Sequence, residues 1–132
     1  MIAAQDLRID NWLIFDGRYF QIDCIAKDAP FLNTEEFGVG VVSYKNIIPI
    51  NLSPEILEKC GFVEDEYNIL SHPILKCRWV TNHFLGELLE MPFLRFDSTK
   101  KPSPNISTDI YYLHQLQNIH YCLVGQELQV KL

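Results

Sequence analysis

A chain of 132 residues, 48% hydrophobic and 21% charged, has the size and composition of one folded domain or of two small subdomains sharing a core, which excludes disorder, collagen-like repeats and low complexity. The formal net charge of -6 is spread evenly: residues 1–52 hold seven acidic and four basic side chains and residues 53–132 hold ten and seven, so neither half is a basic module and nucleic-acid binding is disfavoured. The first ten residues lack a basic stretch leading into an apolar one, and no apolar run approaches the roughly 18 residues that span a bilayer, so the expectation is a cytoplasmic protein with no membrane association.

Along the chain, the clearest local signal is Phe15-Asp16-Gly17-Arg18, where Asp-Gly between two β-rich runs marks a two-residue type I′ hairpin turn. With Asp16 and Gly17 as the loop, Phe15 lies opposite Arg18, Leu13 opposite Phe20, Asn11 opposite Ile22 and Ile9 opposite Cys24, a mostly apolar inner face. The other face then holds Trp12, Ile14, Tyr19 and Ile25 among Arg8, Asp10, Gln21 and Asp23. A loop is expected over residues 28–36, then a glycine-bent strand over residues 37–44. A single turn follows at Tyr44–Ile47, and Pro49 restricts Ile48-Pro49-Ile50 to an edge or terminal strand.

Ser53-Pro54-Glu55 starts a helix. Ser53 suits the N-cap, Pro54 the first helical position and Glu55 the positive end of the dipole, while Gly61 ends the helix after residues 54–60. Strands are expected within residues 74–81 and 93–96. Residues 82–91 fit a short helix capped by Asn82 or a continuing meander, and the β-rich flanks and Gly86 favour strand. Residues 97–107 read as an exposed loop. The last helix is expected over about 109–124, capped by Thr108 or Asp109 and ended by Gly125. Its apolar stripe is Tyr112, Leu116, Ile119 and Leu123, with Leu113 and His120. A short strand is expected at 127–130.

Three stretches together carry a resemblance: Leu7-Arg8-Ile9-Asp10-Asn11-Trp12, Ile48-Pro49-Ile50-Asn51-Leu52-Ser53 leading to Cys60-Gly61-Phe62, and Leu113-His114-Gln115-Leu116-Gln117-Asn118. The chain resembles a family of small uncharacterised proteins of Bacteroides-type bacteria, often encoded in prophages and mobile elements. The likeness covers both ends, and residues 63–106 diverge. Asp10 departs from the family pattern, which places a glycine before Asn11. The resemblance implies a bacterial intracellular protein of the same fold and brings no catalytic residue with it.

No motif specifies a reaction. His72, His83, His114 and His120 lack the local spacing of a metal site, and no nucleophile elbow, phosphate loop or dinucleotide fingerprint is present. Cys24, Cys60, Cys77 and Cys122, scattered among apolar neighbours, are expected to be reduced core residues. A Cys–His nucleophilic pair would need spatial adjacency that no local pattern supports. The expectation is a non-enzymatic protein with no cofactor and no metal.

One feature exceeds an ordinary surface: Ile110 to Val124 contains no Asp, Glu, Lys or Arg. The polar side of that helix gathers Tyr111, His114, Gln117, Asn118 and Tyr121, which with Trp12 and Tyr19 form a candidate interaction face for a protein partner or for self-association. The reading favoured over a partner is that this face packs on the barrel, against Trp12 and Tyr19. The fold expected is α+β, with an N-terminal SH3-like β-barrel over 1–52 and a small α+β unit over 53–132 that carries the C-terminal helix. The function expected is a protein-interaction module of a bacterial prophage or mobile element. A nucleic-acid-associated factor is the alternative, and a small enzyme ranks third.

Overall fold

The computed structural model describes residues 6–25, 30–32, 44–75, 77–80, 83–84, 87–88, 93–96 and 109–132. The fold is α+β, with two antiparallel sheets, a separate short hairpin, a short helix and a C-terminal helix. The chain divides into two compact units, Met1–Ile50 with Tyr112–Asn118, and Asn51–Tyr111 with Ile119–Leu132.

In the first unit, β1 (Trp12–Phe15) and β2 (Arg18–Ile25) form the expected hairpin, with Leu13 opposite Phe20 and Phe15 opposite Arg18. Asp16 and Gly17 take positive φ values of 49° and 74°, as a type I′ turn requires. β3 (Pro30–Leu32) pairs with β2 across a register slip between Ile22 and Cys24, so part of the expected 28–36 loop is instead a strand; its edge position accommodates Pro30. After a 3-10 turn at Tyr44–Asn46, β4 (Ile48–Pro49) pairs with β1 as the opposite edge, giving the order β3-β2-β1-β4. Leu7, Leu13, Phe20, Ile22 and Ile47 form the core beneath this sheet, with Phe15 and Ile25 packed against it. The strand expected over residues 37–44, on which barrel closure depends, lies outside the described residues apart from Tyr44.

In the second unit, α1 (Pro54–Lys59) forms as its sequence directs: Ser53 Oγ accepts from Ile56 N at 3.3 Å, Pro54 opens the first turn, and Ile56 and Leu57 are buried. Gly61, at φ 91°, turns the chain out of the helix. A five-stranded antiparallel sheet follows in the order β11-β10-β7-β6-β5, built from β5 (Val63–Glu64), β6 (Leu70–Ser71), β7 (Cys77–Val80), β10 (Phe93–Phe96) and β11 (Asp109–Ile110). Within residues 82–91 the chain makes the strand pair β8 (His83–Phe84) and β9 (Glu87–Leu88).

Three expectations at the C-terminal end are corrected. The last helix, α2 (Leu113–Val124), begins at Leu113 because Asp109 and Ile110 pair with Arg95 and Leu94 as β11. Its cap is therefore neither Thr108 nor Asp109. The Tyr112 N–H donates to Gln115 Oε1 at 3.1 Å, one half of a capping box, and the Leu113 N–H donates to Ile50 O at 2.9 Å. Leu123 is 43% exposed, so it leaves the buried stripe. Residues 127–130 form no strand, and Lys131 N is instead bonded to Lys59 O.

Candidate functional site

Side chains alternate across a strand, so the register of the first sheet sorts its residues without ambiguity. Leu13, Phe20 and Ile22 point into the core. On the other side Ile14 stands directly between Tyr19 on β2 and Ile48 on β4, with Trp12 next along β1 opposite Gln21. Tyr19 is 45% exposed and Ile48 56%, while Trp12 and Ile14 are half-buried. This aromatic and aliphatic row on an outer sheet face is the candidate functional site. Trp12, Ile14 and Tyr19 were legible from alternation; Ile48 was missed, because only the β1–β4 pairing brings it beside Ile14.

The helix residues proposed from sequence are used differently. Gln117 is 1% exposed, its Oε1 accepting from Trp12 N at 2.8 Å and its Nε2 donating to Asp10 O at 3.0 Å. Asn118 Oδ1 accepts from Asn11 Nδ2 at 2.9 Å and from Arg8 Nη1 at 3.1 Å, and its Nδ2 donates to Asp6 O at 2.9 Å. Asn11, wholly buried, also accepts from Arg8 N through Oδ1 at 2.7 Å. The neutral amides of α2 therefore bind the unit's own N-terminal segment.

His114 is also buried, stacked on Tyr112 with ring centroids 5.8 Å apart, and its Nδ1 has no hydrogen-bond partner among the described residues. Burial lowers its imidazole to about 4, with the Asp6 carboxylate acting in the opposite direction. Tyr111 and Tyr121 belong to the second unit, the first half-buried and the second 44% exposed. Of the seven residues, the structure brings Trp12, Gln117 and Asn118 into one hydrogen-bonded region and leaves Tyr19 and Tyr121 exposed.

The second unit contains an open groove of about 900 Å3 whose lining includes Cys60, His72, His120 and Glu127. A thiol and two imidazoles invite a nucleophilic reading, but burial pushes the Cys60 thiol up to about 12, so at neutral pH it is protonated and unreactive. Cys77 is buried with the same consequence, whereas Cys122 is exposed on the last turn of α2, contrary to its expected place in the core. No group of three or more His, Cys, Asp or Glu suited to a metal occurs among the described residues, and no helix among them is long and apolar enough to cross a membrane.

The chain matches no protein-family model, no curated protein and no solved structure.

Proposed function

We propose that this protein is a non-enzymatic, cytoplasmic protein-interaction module, and that the outer face of the first sheet, the row Tyr19, Ile14 and Ile48 with Trp12, is the surface that takes the partner. The observation that carries the reading is the exposure of two large side chains, Tyr19 and Ile48, on either side of Ile14 in one cross-strand row. Aromatic residues with aliphatic neighbours are what protein interfaces concentrate at their centres, and a contiguous apolar row on a solvent-facing sheet is costly to leave uncovered. The locked backbone at Trp12 supports the same reading: a surface held rigid before binding loses less entropy on association.

In this reading the four-stranded sheet belongs to an SH3-like barrel, a scaffold that hosts binding functions of many kinds. The resemblance to Bacteroides-type proteins of prophages and mobile elements would place the partner in such an element or in its bacterial host. The overall negative charge supports a protein partner over a nucleic acid.

The test is affinity capture from the producing cell with wild type, Tyr19→Glu, Ile48→Glu and a control, Tyr67→Glu, at a position 75% exposed in the second unit. A protein retained by wild type and the control but lost from both sheet variants supports the proposal. Equal capture by all four overturns it.

A further inference from the structure

The turn between β6 and β7 is held by an unusual acceptor. His72 is 6% exposed, and its Nδ1 accepts two backbone hydrogen bonds, from Ile74 N at 3.2 Å and Leu75 N at 3.1 Å. An imidazole nitrogen that accepts carries no proton, so the neutral ring holds its hydrogen on Nε2. Its neighbour has the reverse arrangement. His120 Nδ1 lies 2.8 Å from Gln126 O, a carbonyl that can only accept, so His120 carries its hydrogen on Nδ1. The two rings meet edge to face with centroids 5.8 Å apart, and Phe62 packs on His72 at 5.1 Å.

This geometry makes protonation unequal at the two sites. A second proton on His120 goes to Nε2 and leaves the bond to Gln126 in place. A second proton on His72 must go to Nδ1, where it would face two N–H donors. Both bonds would then be lost and the Ile74 and Leu75 amides left without their acceptor. Ile74 is 61% exposed and lines the groove, as do both histidines.

We propose that His72 is a proton-sensitive latch: neutral, it holds the Pro73–Leu75 turn closed as one wall of the groove, and protonated, it releases that turn. The charged and titratable groups that line the groove around it are Glu55, Glu58 and Lys59 of α1, Cys60, Glu127 and Lys131 of the C-terminal segment, and His120 of α2. Burial first, and the neighbouring His120 second, lower the His72 imidazole below its ordinary value, which is the direction the latch requires. The sign follows from linkage. A ring held neutral in the closed turn binds fewer protons than in the open one, so the closed form loses stability as pH falls below the ordinary histidine value of about 6.5.

The test is ring-nitrogen NMR and amide hydrogen exchange on the full chain between pH 7.5 and 5, with wild type and His72→Asn. Asparagine can accept the same two backbone bonds in an Asx turn and does not titrate. The expected result is an Nε2–H tautomer at His72 and an Nδ1–H tautomer at His120. Protection factors at Ile74 and Leu75 should then fall up to about tenfold per pH unit below about 6.5 in wild type and stay level in His72→Asn. An Nδ1–H tautomer at His72, or wild-type protection independent of pH, would overturn the proposal. If His72→Asn does not fold, the wild-type ring shifts and exchange decide it alone.

Discussion

Gln117 presents its carboxamide to β1 as a neighbouring strand would present a peptide unit: Oε1 takes the N–H of Trp12 at 2.8 Å, and Nε2 gives to the carbonyl of Asp10, two residues earlier, at 3.0 Å. Asp10 lies in a turn ahead of β1, at φ 72°, so this one side chain ties the turn to the first residue of the strand, where the two-residue β4 does not reach. Gln117→Ala leaves the half-buried Trp12 N–H without its acceptor, while the Asp10 carbonyl keeps the bond it accepts from Gln21 Nε2 at 3.1 Å. The expected loss is about 1–3 kcal/mol in urea denaturation. Gln117→Glu keeps the acceptor, loses the donor and sets a carboxylate against the Asp10 carbonyl, so it should destabilise as well. A loss below about 0.5 kcal/mol in both variants would show that these bonds do not hold the segment.

Asn11 and Asn118 are joined side chain to side chain at 2.9 Å while each is also bonded to backbone. Residues sharing one buried network are not independent, so the Asn11→Ala and Asn118→Ala double-mutant cycle should give a coupling of about 0.5–3 kcal/mol. Additive losses would break the network into separate contacts.

Asp10 sits at φ 72°, in the left-handed region that favours glycine, with its side chain exposed. Asp10→Gly keeps the backbone bonds at this turn and relieves the strain, so it should raise stability by about 0.5–1 kcal/mol. Asp10→Val should lower it, because a β-branched residue is poorly accommodated there. Thermal melting of the pair checks both, and a stabilising valine would be incompatible with the turn.

The hairpin was legible because Asp-Gly fixes a turn, the turn fixes a register, and alternation then assigns the side chains from Trp12 to Gln21 to a face; Ile9, expected on the inner face opposite Cys24, is instead 51% exposed in a turn ahead of β1. The cap of α1 was legible for the same kind of local reason. The start of α2 was not. Asp109 is a good N-cap by type, but Ile110 is claimed by pairing with Leu94, a contact between residues far apart in sequence. The role of the uncharged helix face was half legible. The absence of charge from Ile110 to Val124 announced burial or contact, yet only three-dimensional placement showed that Gln117 and Asn118 turn to the N-terminal segment and leave Tyr19 and Ile48 as the surface.

His114 supplies a pH dependence. Its imidazole is lowered by burial to about 4, against about 6.5 in the unfolded chain, so the folded form holds it neutral while the unfolded form takes up a proton. The stability it contributes is complete above about pH 6.5 and is lost as pH falls towards 4, at most about 3 kcal/mol. Urea midpoints for wild type and His114→Leu at pH 7, 5.5 and 4.5 should show wild type losing stability relative to the variant as pH falls, the variant lacking this slope. Parallel curves would mean that the His114 ring is free to charge in the folded state.

The most direct measurement on the central claim is photo-crosslinking in the producing cell, with a benzophenone amino acid in place of Tyr19 and, as control, in place of Tyr67. A discrete protein adduct at position 19, with none of the same mass at 67, is the result expected if the outer sheet face takes a protein partner. No adduct at 19, the same adduct at both positions, or an adduct that nuclease removes would contradict it.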